Sequence, residues 1–353
     1  MVYSPALDSL FLGDIQMAKK KIAINGFGRI GRMFFRAAMQ DEAFCKNFEI
    51  VAINDLTDSK TLAYLLKYDS VHGKLEADVT ASETTLFYKG KEIAVFSEDK
   101  VLKLPWKKMG VDYVLESTGR NTDRNAASQH LVAGAEKVVI SGPSKNSDAV
   151  LLPGTNLDKY DSSKHDVVSM ASCTTNSIAP LLKLLNDEFT IVKGFLTTAH
   201  AYTNDQRLLD LPHDNLRRSR AAPVSIVPTS TGAASAIGQV LPELSGKLDG
   251  IALRVPIACG SISDLTLVLS RSASVNEINS LVKKASEGKL KGILAYTEEE
   301  IVSADIINDP HSGIFDSKLT KVNGDLVKVY VWYDNEWGYS VQLLDLFKHI
   351  AKK

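Results

Sequence analysis

The first half of the chain alternates short apolar runs with stretches of helical periodicity. Ile22, Ala23 and Ile24 form a compact apolar run that stops at Asn25-Gly26, as a buried strand does. From Gly28 to Gln40 the apolar positions Ile30, Met33, Phe34 and Ala37 recur at helical spacing. The same pattern predicts strands over 49–54, 113–115, 137–140 and 167–170, and helices over 61–67, 123–133 and 178–185. Strands alternating with helices imply an α/β fold with a mostly parallel, doubly wound sheet. After Asn204 the texture changes. A basic loop with Arg217, Arg218 and Arg220 leads into a Pro- and Thr-rich stretch up to Gly232, followed by β-like segments at 262–270 and 327–333 and a helix over 274–286. A second, α+β domain on a mixed sheet is expected there, with an amphipathic helix over 339–353.

Composition narrows the function classes. The 41 basic and 42 acidic side chains leave a net charge of -1, which argues against a dedicated nucleic-acid or membrane-surface binder. No uncharged apolar run approaches the roughly 18 residues that span a bilayer. Cys45, Cys173 and Cys259 are too few and too scattered for a disulfide framework, and they suggest a reducing, cytoplasmic setting. There is no CxxC or HxxxH pattern, so no metal site is expected. Leu7, Leu10, Phe11 and Leu12 lack a preceding basic region, so residues 1–16 do not read as a signal peptide. Met17-Ala18-Lys19 reads as a natural start, which leaves residues 1–17 as an extension of unknown role.

Gly26-Phe27-Gly28-Arg29-Ile30-Gly31 is a GxGxxG turn between a predicted strand and a predicted helix. Gly26 permits the tight turn, Gly28 lets backbone approach a pyrophosphate, and Gly31 lets helix and strand pack closely. Asp55 ends the next strand, at about the 20-residue interval where a carboxylate meets the adenosine ribose. It would repel a 2′-phosphate, so NAD is favoured over NADP. A glycine turn with a capping aspartate in a cofactor-free protein would read the same way.

Ser172-Cys173-Thr174-Thr175-Asn176 lies between a strand and an apolar helical run. At a helix start the dipole and unpaired N–H groups stabilise a thiolate, the useful nucleophile. A buried structural cysteine is the alternative, and it is the reading for Cys45 and Cys259. His200, in a β-like segment, is the candidate base, with His213 its rival. Sequence separation cannot join either of them to Cys173.

Six segments together resemble the phosphorylating glyceraldehyde-3-phosphate dehydrogenase family. They are residues 24–32, 66–73, 172–176, 198–203, 252–256 and 332–340, and the similarity runs from about Lys20 to the C-terminus. The resemblance implies a Rossmann-type NAD-binding domain over 18–171, completed by the helix 337–353, and a catalytic domain over 172–336. It implies that Cys173 attacks the aldehyde of glyceraldehyde 3-phosphate, with His200 as base. A thiohemiacetal and then a thioester follow, and inorganic phosphate releases 1,3-bisphosphoglycerate. The substrate phosphate would meet Thr203 and Arg254, with Asp205 nearby. Inorganic phosphate would meet Ser172, Thr174, Thr231, Gly232 and one arginine of the basic loop, Arg218 ahead of Arg217. NAD would be held by the glycine turn, by Arg29 and Ile30 at its phosphates, by Asp55, and by Ser141, Asn335 and Tyr339 around the nicotinamide. A homotetramer is implied. An erythrose-4-phosphate dehydrogenase of the same family shares this machinery and is the alternative.

Overall fold

The computed structural model describes residues 18–352, so the extension expected over 1–17 lies outside the described residues. The first sheet contains β1 (Lys20–Asn25), β2 (Phe48–Asn54), β3 (Val79–Ala81), β4 (Thr85–Tyr88), β5 (Lys91–Phe96), β6 (Tyr113–Glu116), β7 (Lys137–Ile140), β8 (Ala149–Val150) and β9 (Val167–Ser169). Their order is β3-β4-β5-β2-β1-β6-β7-β9-β8. All neighbours are parallel except at the β3-β4-β5 edge. The sheet is the doubly wound Rossmann type, with α1 (Arg29–Gln40), α2 (Glu42–Asn47), α3 (Ser59–Lys67), α4 (Trp106–Met109), α5 (Arg124–Ala127) and α6 (Gln129–Val132) in its connections. Ile22 to Asn25 are all buried, as a central strand covered on both faces requires.

The nucleophile-bearing helix α7 (Cys173–Phe189) leads into a second, mixed sheet. Its strands are β10 (Ile191–Ala201), β11 (Val227–Ser230), β12 (Leu248–Val255), β13 (Ser261–Leu269), β14 (Leu294–Thr297), β15 (Gly313–Asp316), β16 (Lys321–Asn323) and β17 (Leu326–Tyr333). The path is β11-β12-β10-β13-β17-β15-β14, with β16 paired to β17. Burial alternates strictly along β13, so one face of this sheet is packed and the other is open. Helices α8 (Ala233–Val240), α9 (Val275–Glu287) and α10 (Trp337–Ala351) complete the chain. Ser274 and Glu277 form a reciprocal capping box that sets the start of α9.

Two elements depart from the sequence pattern. The helix expected over 123–133 is split into α5 and α6. Between them Ser128 Oγ donates to the Asn125 carbonyl, a local bond that competes with helix continuation. The final helix starts at Trp337, and its buried face is wide, including Gly338, Tyr339, Ser340 and Gln342. The reason is packing on several sides: Phe347 meets Phe34 of α1 and Tyr113 of β6, while Tyr339 reaches the start of α7. One continuous apolar cluster therefore runs from Ile24 and Phe34 through Ile178 and Leu182 to Leu267 and Val329.

Candidate active site

The order of the first sheet reverses between β1 and β6, and a crevice opens at the C-terminal ends of those strands. A cleft of about 290 Å³ there is lined by Gly26, Gly28, Asp55, Glu98, Thr118 and Asn121, among others. The glycines have distinct reasons. Gly26 has φ +92°, and a Cβ on it would sit 2.6 Å from Thr118 N. A Cβ on Gly31 would sit 2.2 Å from the Gly26 carbonyl oxygen, so helix and loop pack without a side chain between them. Nothing lies within 4 Å of a Cβ position on Gly28, so backbone there is open to a ligand. The first N–H groups of α1 are free by helix geometry. Asp55 braces the turn, accepting from Phe27 N–H at 2.8 Å and Thr57 N–H at 3.0 Å.

A buried polar network below the cleft has no counterpart in the sequence reading. Glu116 Oε2 accepts from Asn25 Nδ2 at 2.6 Å and pairs with His130 Nε2 at 3.1 Å, and Trp106 Nε1 donates to His130 Nδ1 at 2.9 Å. Burial raises the Glu116 carboxyl, but hydrogen bonds from His130 and Thr118 prevail and hold it below the usual range. The available signal was a lone carboxylate closing an apolar strand. Ser141 lies beside this network, with N–H and Oγ both donating to the Glu116 carbonyl at 3.0 and 3.2 Å.

The nucleophile turn joins β9 to α7. Ala171 has φ +53°, a left-handed conformation that costs an alanine about 1 kcal/mol. Neighbours hold it there: Tyr339 Oη donates to the Ala171 carbonyl at 2.8 Å, and Ala171 N–H donates to Ser169 Oγ at 3.0 Å. Ser172 caps α7, its Oγ accepting from Thr175 N–H at 3.1 Å. Cys173, the first helical residue, is half-buried. Its Sγ lies 3.3 Å from His200 Nε2. His213 is elsewhere, accepting from Asn215 N–H within the basic loop.

The parallel pairing of β10 with β12 sets His200 directly beside Arg254. His200 Nδ1 is 2.7 Å from the Ala201 carbonyl and 2.6 Å from Arg254 Nη1, two neighbours with opposite demands. Arg254 Nη1 can instead donate to Ala201 O, at 3.1 Å. A proton on Nδ1 shared with that carbonyl leaves the Nε2 lone pair facing the thiol. Burial pushes the imidazolium down to about 3, and the Arg254 charge acts in the same direction. Burial also pushes the Cys173 thiol up, against Arg254 and the Thr174 N–H. At the start of α7 desolvation therefore works against the thiolate, while the helix N–H groups and Arg254 work for it. Tyr333, edge-on to the His200 ring, bonds to Thr198 Oγ1 at 2.8 Å and Thr174 Oγ1 at 2.9 Å.

Two residues expected at phosphates have side chains with partners inside the protein. The Thr174 hydroxyl is buried and lies 2.9 Å from Tyr333 Oη. The Arg29 guanidinium is bonded to Asp69 and Glu336 rather than left for the cleft. Thr203 Oγ1 donates to Asp205, which pairs with Arg218, whose Nη2 donates to Thr229 Oγ1 at 2.8 Å. Arg217 is exposed and, with Arg220, borders a separate groove. Thr231 and Gly232 stand at the start of α8, with Gly232 open to solvent. Asn335 Oδ1 accepts from Gly260 N–H at 3.1 Å and Ser261 Oγ at 3.0 Å. Cys45 Sγ donates to the Ala38 carbonyl, and Cys259 Sγ to Asp334.

Comparison with known proteins agrees with this geometry. Residues 20–124 match the family model of the glyceraldehyde 3-phosphate dehydrogenase NAD binding domain, and residues 172–335 match that of its C-terminal domain. The chain is 56% identical to glyceraldehyde-3-phosphate dehydrogenase of Mycobacterium tuberculosis, over 94% of this chain and 98% of that protein. It is 54% identical to the Geobacillus stearothermophilus enzyme of the same name, with the same coverage. Glyceraldehyde-3-phosphate dehydrogenase 2 of Streptomyces avermitilis is 53% identical over 92% of this chain and 97% of that protein. The doubly wound cleft, the Cys173–His200 pair and these matches together place the chain in the glyceraldehyde 3-phosphate dehydrogenase family.

Proposed function

We propose that this chain oxidises glyceraldehyde 3-phosphate with NAD and inorganic phosphate to 1,3-bisphosphoglycerate and NADH. The observation that carries the reading is Cys173 Sγ at the start of α7, 3.3 Å from His200 Nε2. The names of the relatives favour the triose over the tetrose alternative.

The crevice fits a dinucleotide. Gly28 leaves backbone exposed, and the free N–H groups of Arg29, Ile30 and Gly31 suit a pyrophosphate. Asp55 would accept from the ribose hydroxyls. Asn335 has its oxygen already engaged, which leaves its Nδ2 donor for the nicotinamide carboxamide. Ser141 and Tyr339 flank that end. When bound, NAD supplies the acceptor for the hydride leaving the substrate carbon. His200 takes the Cys173 proton as sulfur attacks the aldehyde, and the N–H groups at the start of α7 stabilise the developing oxyanion. His200 returns that proton to the oxyanion, which gives the thiohemiacetal hydroxyl, and then, as neutral imidazole again, removes it as the hydride leaves. The thioester left on Cys173 is cleaved by inorganic phosphate, whose attack returns the sulfur.

Arg254 and Thr203 would hold the substrate phosphate. Ser172, the Thr174 N–H, Thr231, Gly232 and Arg218 would hold inorganic phosphate. Arg218 is favoured over Arg217 because it is half-buried with Nε and Nη2 on Thr229 Oγ1, in the strand that leads to Thr231, whereas Arg217 is exposed. We take residues 18–171 with 337–353 as the NAD-binding unit and 172–336 as the catalytic unit. A cytoplasmic homotetramer is part of the reading. The open side of the second sheet and the loop beyond it expose Phe195, Leu208, Leu209, Leu216, Val224 and Ile226, an apolar surface suited to other copies of the chain. Among the described residues no helix is long and apolar enough to cross a membrane.

The test is NADH formation with glyceraldehyde 3-phosphate, with and without inorganic phosphate, beside the same assay with erythrose 4-phosphate. Fast, phosphate-dependent turnover of the triose supports the proposal. Preference for the tetrose moves the function to the alternative. For the cofactor, Asp55→Ala is expected to shift the NAD-to-NADP ratio of kcat/KM towards NADP by about tenfold or more, the worth of a charge-assisted hydrogen bond. An unchanged ratio would remove Asp55 from that role.

A further inference from the structure

Segment 66–73 belongs to the family pattern but acquires no role in the chemistry above. In the fold it meets Arg29 of the glycine turn and the 334–336 turn that carries Asn335. Arg29 Nε donates to Glu336 Oε1 at 2.8 Å and Nη2 to Oε2 at 2.5 Å. Its other edge pairs with Asp69, Nη1 closely and Nη2 at 3.1 Å. The Asp69 side chain is 1% exposed and also accepts from Val71 and His72 N–H, each at 2.9 Å. His72 Nε2 lies 3.0 Å from Glu336 Oε2, and its Nδ1 lies 2.7 Å from Asn308 Oδ1. Asp334 fastens the same turn, accepting from Glu336 N–H at 2.9 Å, Trp337 N–H at 2.8 Å and, through its second oxygen, Asn308 N–H at 2.8 Å.

We propose that Asp69, Arg29, Glu336 and His72 form a strap that fixes the 334–336 turn against the glycine turn, making Arg29 a positioning residue for the nicotinamide through Asn335. The proposal rests on the NAD-binding reading above. Its geometry is specific. One planar guanidinium grips two carboxylates from separate segments of the chain, a two-edged contact that lysine cannot reproduce. Asn335 lies one residue from Glu336, so a slip of this turn moves its amide directly. Buried ion pairs of this kind contribute little net stability but exact a large penalty when one partner is removed, which suits them to holding a register. Cys259, His72 and Glu336 also offer three donor atoms within 4.8 Å of one another. The Glu336 oxygens are occupied by Arg29 and His72, and the Cys259 thiol donates to Asp334, so the cluster is satisfied internally.

The experiment compares NAD with ADP-ribose, which keeps the adenosine and both phosphates but lacks the nicotinamide. Binding is measured by calorimetry on the full-length protein, so the readout needs no turnover and stands even if the assigned substrate is wrong. Arg29→Gln is expected to raise the Kd for NAD about tenfold, the worth of a misplaced hydrogen bond. The Kd for ADP-ribose should stay within about twofold. In an Asn335→Ala background, Arg29→Gln should add nothing further. Glu336→Gln, which keeps shape and volume, should repeat the pattern if Arg29→Gln folds poorly. Equal weakening of both ligands would mean that Arg29 serves the phosphates itself. A lowered Tm with both affinities unchanged would mean a merely structural strap. Additive losses with Asn335→Ala would mean that Arg29 does not act through Asn335. Each of these three results overturns the proposal.

Discussion

Cys173→Ser is expected to lower kcat by about 10⁴–10⁶-fold, the scale on which nucleophile removal acts in covalent catalysis. NAD binding should persist. The substitution nearly keeps the size and leaves the Ser172 cap and the start of α7, and Cys173 is not among the residues that line the cleft at the glycine turn. What changes is chemistry: a hydroxyl is a far weaker nucleophile than a thiol, and it forms an ester that phosphate cleaves poorly. Steady-state NADH formation and NAD calorimetry on the same sample check both halves. A variant within tenfold of the wild-type rate would remove Cys173 as the nucleophile. Lost NAD binding would mean that the effect was structural.

His200→Asn should slow turnover by about 10²–10⁴-fold, the usual loss on removing a general base. Its pH profile is the sharper test. With His200 gone, the thiol must ionise to solvent, and burial holds it above the ordinary thiol range. Thiolate is the minor form at neutral pH and grows as pH rises. The residual rate and the rate of Cys173 alkylation should therefore climb together through the alkaline range. Wild type, with its internal proton acceptor 3.3 Å away, should depend on pH less steeply. A variant whose rate is near normal and whose profile matches wild type would take His200 out of the mechanism.

Much of the framework was legible in the sequence because it depends on local patterns. The run 22–24 became β1 since an unbroken apolar triplet has to be buried on both faces. The GxGxxG turn was legible because backbone sterics at Gly26 and Gly31 exclude any Cβ. Cys173 at a helix start could be read from the polar cap ahead of an apolar helical run. Helix 123–133 was misread because one serine hydroxyl bonding to a nearby carbonyl does not disturb the apolar periodicity.

Tertiary structure decided the choices that depend on distance. It set His200 rather than His213 against Cys173, and Arg218 rather than Arg217 towards Asp205. It paired the Arg29 guanidinium with Asp69 and Glu336 and set the Thr174 hydroxyl against Tyr333. It also set the direction in which burial moves the thiol and the imidazole, because desolvation depends on everything packed around a group. Sequence alone determined which residues are chemically able to act and which local turns present them. Which of those residues meet was decided by strand register and by packing between the two sheets, since residues far apart in the chain come together only when the whole core closes.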